Sequence, residues 1–265
     1  MLSIQTEISN KLNSITVDSL PKSLILCGEE GCGRHLLLKE LSEKLNIETE
    51  NITGKLTPSD IVDIQIDPLQ KIFFIECDAI AEREQNSILK VLEEPPKNAF
   101  ICLLTDSLDK LLVTIVNRCI VWKFRPYTKD ELRGFTDSDL VLKFARTPGQ
   151  ALKYSSYRLE GIEELCNKIF TAIKKAVVPN ALSISNKLAW KAGEEDKYDP
   201  DLFVNCLYNA AHEMCIKDDR YFDAYILTSQ LARDFRILHV DKRRLFEGYL
   251  SELKMVIERS VVDEA

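Results

Sequence analysis

The chain has 265 residues, 45% of them hydrophobic and 29% charged, which is enough for a sizeable core and for two domains, or three if some are small. A formal net charge of −7 excludes a surface that grips a phosphate backbone all over, because such binding needs clustered Lys and Arg. No apolar run reaches the roughly 18 residues of a membrane span, and Met1-Leu2-Ser3-Ile4-Gln5-Thr6-Glu7 lacks the basic and apolar regions of a signal peptide, so a cytoplasmic chain with no membrane partner is expected.

Ser23 to Cys27 is a short apolar run that ends in a Gly-rich turn, and His35 to Leu45 carries leucines at helical spacing, so a strand, a loop and a helix are predicted. The turn, Gly28-Glu29-Glu30-Gly31-Cys32-Gly33-Arg34-His35, has the frame of a phosphate loop. A working loop reads G-x-x-x-x-G-K-[ST]: backbone N–H groups cradle phosphates, the Lys reaches the β and γ phosphates, and the hydroxyl holds Mg²⁺. Here Gly28, Gly31 and Gly33 keep the turn, while Arg34 and His35 stand in place of the Lys and the hydroxyl.

Lys71 to Ile75 reads as a second buried strand, followed by a helix from Glu84 to Leu92 that Pro95-Pro96 terminates. Ala99 to Leu104 and Ile120 to Phe124 are the third and fourth strands. Continuous apolar strands separated by helices predict an α/β architecture, a parallel sheet covered on both faces.

After Arg125-Pro126 the strand signals cease. Short helices are expected from Thr128 to Phe135, Asp137 to Phe144 and Gly149 to Tyr157. Longer amphipathic ones follow at Ile162–Val178, Ala181–Lys191, Pro200–Ile216, Arg220–His239 and Lys242–Val261, with Lys191 to Pro200 as the main loop. The expected division is 1–126, 127–160 and 161–265.

Eight cysteines occur, none spaced as C-x-x-C, and several lie in apolar runs such as Phe100-Ile101-Cys102-Leu103-Leu104, so buried structural thiols are expected, not a zinc site or disulfides. The basic clusters Lys242-Arg243-Arg244 and Lys174-Lys175 read as solvated helix faces. Behind the second strand, where a phosphate-loop ATPase places carboxylates that support Mg²⁺ and polarise water, the chain has Glu76 and Cys77, with Asp78 next. A Cys cannot act there as a carboxylate base.

The run Asn86-Ser87-Ile88-Leu89-Lys90-Val91-Leu92-Glu93-Glu94-Pro95-Pro96, then Leu104-Thr105-Asp106, then Ile115-Val116-Asn117-Arg118-Cys119, resembles the clamp-loader branch of the AAA+ ATPases. Members carry N-x-L-L-K-x-L-E-E-P-P and a Ser-Arg-Cys tripeptide at this separation. Within that branch the chain is most similar to the bacterial DNA polymerase III delta-prime family, in which the phosphate loop is commonly degraded. The resemblance implies an AAA+ core at 1–126, a helical lid at 127–160 and an all-α collar at 161–265. It implies that Arg118 is an arginine finger acting in trans on a neighbouring subunit, with Asn117 where the family has Ser, and that Thr105 stands at the sensor-one position.

Ala145-Arg146-Thr147-Pro148-Gly149-Gln150-Ala151-Leu152 resembles the lid motif G-x-P-G-x-A-L, with Gln150 where a working site often has Arg or Lys. The family's four-Cys zinc module has no counterpart between Ile47 and Gln70, so no metal is predicted. The implied function is a non-catalytic subunit that helps load the sliding clamp onto primed DNA. Its implied partners are the gamma/tau and delta subunits, and through the complex the clamp and primer-template DNA. No cofactor is required on this reading, with weak ATP or ADP binding without hydrolysis left open. Two other readings also stay open: an ATPase in which Arg34 replaces Lys and Glu76 or Asp78 does the carboxylate work, and a nucleotide-binding scaffold outside the replisome.

Overall fold

The computed structural model describes all residues except 1, 53–56, 79, 158, 160, 175–180, 192–193, 195–196, 236–240 and 263–265. Its contacts divide the chain into two compact units, Met1–Asp137 with Ala145–Leu152, and Ser138–Phe144 with Lys153–Ala265. Residues 127–160 contribute to both.

The first unit is built as α1 (Thr6–Ser14), β1 (Ser23–Cys27), α2 (Arg34–Leu45), β2 (Glu48–Ile52), α3 (Pro58–Ile66), β3 (Lys71–Glu76), α4 (Glu82–Glu93), β4 (Ala99–Thr105), α5 (Val113–Val116), β5 (Ile120–Lys123) and α6 (Lys129–Leu132). The five strands form one sheet in the order β2-β3-β4-β1-β5, with all four pairings parallel. Every residue of β1 and β4 is buried, because both strands are interior to the sheet and helices cover both faces. Phe73, Ile75, Ile101 and Leu103 form a core layer with Ile88, Val91 and Leu92 of α4. The predicted parallel sheet flanked by helices is the observed one.

Four elements lie outside the sequence expectation: α1, β2, α3 and the single-turn α5. β2 is an edge strand, and Glu48, Thr49 and Asn51 are exposed, so it carries no apolar run; pairing with β3 through the register Glu48 to Lys71 makes it a strand. α3 starts at a capping box in which the Asp60 N–H donates to Thr57 Oγ1 and the Thr57 N–H donates to Asp60. α1 is tied to the end of β5 by buried Gln5. Its amide donates to the Arg125 carbonyl at 2.9 Å, and its oxygen accepts the Arg125 N–H at 3.0 Å.

The helix expected from Thr128 to Phe135 shortens to α6. Its capping box is present, with the Glu131 N–H bonded to Thr128 Oγ1, but the backbone tightens into turns through Gly134 and Phe135. Glu131 also pairs with Arg125, and this hydrogen-bonded pair lowers its carboxyl to about 2.

In the second unit the helices are α7 (Asp139–Phe144), α9 (Ile162–Lys174), α10 (Ala181–Ser185), α11 (Pro200–Lys217), α12 (Phe222–Asp234) and α13 (Lys242–Val262); α8 (Pro148–Ser155) has residues in both units. α11 begins with Asp199 accepting the Leu202 N–H and with Pro200 in the first turn, a start for which Pro is well suited. In its core Phe246 meets Phe203 edge-on and stacks with Tyr249, and the Tyr249 and Thr228 hydroxyls meet at 2.8 Å. The helix expected from Ala181 to Lys191 stops at Ser185, because Leu188 forms a parallel bridge with Tyr198 and the Trp190 indole donates to the Ser185 carbonyl. The expected ends at Val178 and His239, and Lys175 of one basic cluster, lie outside the described residues. Lys242, Arg243 and Arg244 pair with Asp201, Glu247 and Asp241.

Candidate functional site

The phosphate-loop frame lies at the carboxyl end of β1, between β4 and β5. Gly28 is demanded by packing: a Cβ there would lie 2.7 Å from Cys32 Sγ and 2.8 Å from Phe124 Cβ. Gly31 and Gly33 hold φ of +80° and +114°, the left-handed region that lets the chain turn into α2.

The loop's outward carbonyls are bound by the chain itself. Thr147 Oγ1 donates to the Glu30 carbonyl at 2.7 Å, the Gly149 N–H to Gly31 at 3.0 Å, and the Tyr127 hydroxyl to Cys32 at 2.7 Å. Gly149 approaches so closely that a Cβ on it would be 2.5 Å from Gly31 Cα. The Pro-Gly start of α8 is thus pressed onto the loop. Gln150 turns back, its Oε1 accepting the Arg146 N–H at 2.9 Å.

Arg34, the first residue of α2, is only 6% exposed and faces inward, with Nη1 3.4 Å from Asp78 Oδ2. Asp78 also accepts the Thr105 hydroxyl at 2.9 Å and the Asp106 N–H at 2.9 Å, and Lys110 Nζ lies 3.7 Å away. Burial pushes the Asp78 carboxyl up, but the Asp106 amide, the Lys110 and Arg34 charges and the Thr105 hydroxyl together bring it below its ordinary value. His35 and Glu76, at the positions where a working site holds Mg²⁺, face each other instead, with Nε2 2.7 Å from Oε1 and the imidazole edge-on to Phe74.

Of the residues expected at the cradle, Arg34, Thr105, His35 and Glu76 therefore gather at the carboxyl ends of the central strands, and each is bonded to a neighbour in the chain. Asp78 joins Arg34 to Thr105. Cys77 is buried, and desolvation together with the Asp78 and Glu76 charges raises its thiol far above the ordinary range, so it supplies no thiolate. Burial also raises Cys32 to about 11 and Cys119 to about 12. All eight cysteines are free thiols, and six are buried.

Arg118 lies apart from this cluster, two residues beyond α5, and is 34% exposed. Its Nε donates to Glu93 Oε1 at 2.8 Å, its Nη2 donates to the same oxygen, and its Nη1 donates to the Thr114 carbonyl at 2.7 Å. Asn117 is the C-cap of α5. Glu93, one residue beyond the helix predicted to Leu92 and the last residue of α4, is the partner that the sequence did not point to; its position just before Pro95-Pro96 gave the only signal.

Among the described residues no group of three His, Cys, Asp or Glu side chains is placed to hold a metal ion, and no helix is long and apolar enough to cross a membrane.

Residues 47–128, which include Glu76, Asp78, Glu93, Thr105 and Arg118, match the family described as DNA polymerase III, delta subunit. The chain is 26% identical over 153 residues to the DNA polymerase III subunit gamma of Buchnera aphidicola, a match covering 54% of this chain and 42% of that protein. It is 40% identical over 53 residues to the DNA polymerase III subunit delta' of Haemophilus influenzae, covering 20% and 16%. The matched segments span less than half of either relative. A solved structure of a DNA polymerase III gamma subunit-related protein from Thermotoga maritima shares the fold, with a TM-score of 0.52 and 16% identity over 96% of this chain and 99% of that one. Over the matched segments the chain is thus similar to DNA polymerase III gamma and delta' subunits, and over nearly its whole length it shares the fold of a gamma subunit-related protein.

Proposed function

We propose that the chain is a non-catalytic clamp-loader subunit of the delta-prime kind. It assembles with gamma/tau and delta subunits, helps load the sliding clamp onto primed DNA, and donates Arg118 to the ATP site of its neighbour. The observation that carries this reading is the contrast in wiring: the residues that would meet phosphate and Mg²⁺ in this chain's own cradle are bonded to one another, while Arg118 stands at the surface. A guanidinium fixed at a subunit boundary stabilises charge that develops on a transferring γ-phosphoryl group.

The reading of an intrinsic ATPase needs Arg34 to face a phosphate and Glu76 or Asp78 to serve a water or Mg²⁺. It is disfavoured by Arg34–Asp78 and His35–Glu76 pairing, which occupies both carboxylates. A scaffold that binds nucleotide outside the replisome would need the same cradle.

The test is ATP turnover by the complex reconstituted with its gamma/tau and delta subunits on primed DNA. Arg118→Ala is expected to lower turnover; an arginine finger is worth roughly 10³ to 10⁵ in single-site systems, and less in a ring with several sites. Unchanged turnover and clamp loading would overturn the finger role. Turnover by the isolated chain that Glu76→Gln abolishes would establish the ATPase reading instead, and stable ATP binding without association to either subunit would establish the scaffold.

A further inference from the structure

We infer that Glu93 is a positioning residue for Arg118, holding the guanidinium side-on so that its outer N–H donors face away from the chain. This rests on the reading of Arg118 as a finger acting in trans, and extends it to a residue that reading does not use. Three of the five guanidinium N–H donors are committed, two to the single oxygen Glu93 Oε1 and one to the Thr114 carbonyl. The other two are outside any bond among the described residues. A finger needs this division, with one edge fixed by its own chain and the remaining donors open to the oxygens of a neighbour's phosphate.

The platform under Glu93 is rigid for identifiable reasons. α4 is anchored by Ile88, Val91 and Leu92, all buried, and Pro95-Pro96 stop it directly after its last residue and C-cap, fixing where Glu93 stands. α5 is anchored by buried Ile115. The buried Gln85 ties the two together: its amide donates to the Lys110 carbonyl at 2.9 Å and its oxygen accepts the Leu112 N–H at 2.9 Å. Glu93 and Thr114, on two cross-braced helices, therefore grip the guanidinium from two sides. Such bracing limits the search for a productive geometry, in which a misplacement of about 1 Å can cost on the order of 10²-fold in rate.

Because both bonds go to one oxygen, Glu93→Gln preserves the acceptor and removes only the charge, whereas Glu93→Ala removes the grip. In the complex reconstituted with gamma/tau and delta subunits, clamp and primed DNA, we expect Glu93→Ala to lower kcat for ATP about tenfold with KM unchanged, and Glu93→Gln to restore most of it. In an Arg118→Ala background, Glu93→Ala should have no further effect. The proposal is overturned if Arg118→Ala lowers turnover and Glu93→Ala does not, which leaves the finger itself standing. It is equally overturned if both Glu93 variants raise turnover, since the carboxylate would then restrain the arginine, or if Glu93→Ala costs the same without Arg118. An Arg118→Ala complex with unchanged turnover removes the finger reading and this proposal together.

Discussion

Arg34 and Arg118 belong to the same unit and carry the same group, yet their surroundings differ. Arg34 lies beneath the loop against a carboxylate that is itself bonded to a hydroxyl and an amide, so its charge is spent inside the chain. Arg118 is held by one half-exposed carboxylate and one carbonyl, and two of its N–H donors are bonded to no other described residue.

The largest expected effect comes from breaking the buried side of this comparison. Asp78→Ala strands the Arg34 charge and leaves the Thr105 hydroxyl and the Asp106 amide without their acceptor, a change that costs about 3 kcal/mol where one member of a buried pair is removed. Urea unfolding should show it, and the double variant Arg34→Met with Asp78→Leu should recover much of the loss. Gly149→Ala comes next. Its Cβ would meet Gly31 Cα, which is backbone and cannot swing aside, so about 1–3 kcal/mol of destabilisation is expected in the same assay. A neutral Gly149→Ala would mean that the loop is not pressed against the start of α8.

A smaller effect sharpens the comparison through pH. Asp78 sits below its ordinary value in the folded chain, so the unfolded chain binds more protons in the interval between the two values. The stability contributed by this carboxylate is complete above about pH 4, the unfolded value, and is lost as pH falls through the lower folded value. Asp78→Asn should therefore flatten the acid limb of the stability curve. Arg118→Ala should leave that limb unchanged.

How much of this was legible in the sequence depended on where the information lay along the chain. β1 and β4 could be read because strands buried on both faces are continuous apolar runs, while β2 could not, since Glu48 to Asn51 become a strand only by pairing with β3. The loss of the phosphate-loop lysine was visible at position 34, but where the guanidinium goes was not, because its partner is 44 residues away and is ordinary in composition. The same holds for Glu93. Its place at a helix end could be read from Pro95-Pro96, whereas its bond to Arg118 depends on how α4 and α5 are braced through Gln85. Arg118 itself was singled out by resemblance, and nothing in local propensity marks it.

The smallest expected effect separates the two arginines most cleanly. Arg118 and Glu93 are 34% and 47% exposed, so their pair is screened by water and is worth less than about 1 kcal/mol, unlike the Arg34 pair, whose partners are 7% and 17% exposed. Arg118→Ala should therefore shift the urea midpoint only slightly with an unchanged slope, while Arg34→Ala should approach the cost of Asp78→Ala. If Arg118→Ala proved as damaging as Asp78→Ala, Arg118 would be a structural tie between α4 and α5, and any fall in turnover by the assembled complex would follow from unfolding. A small shift leaves lost transition-state charge stabilisation as the cause of such a fall, because the platform that carries the arginine is still standing.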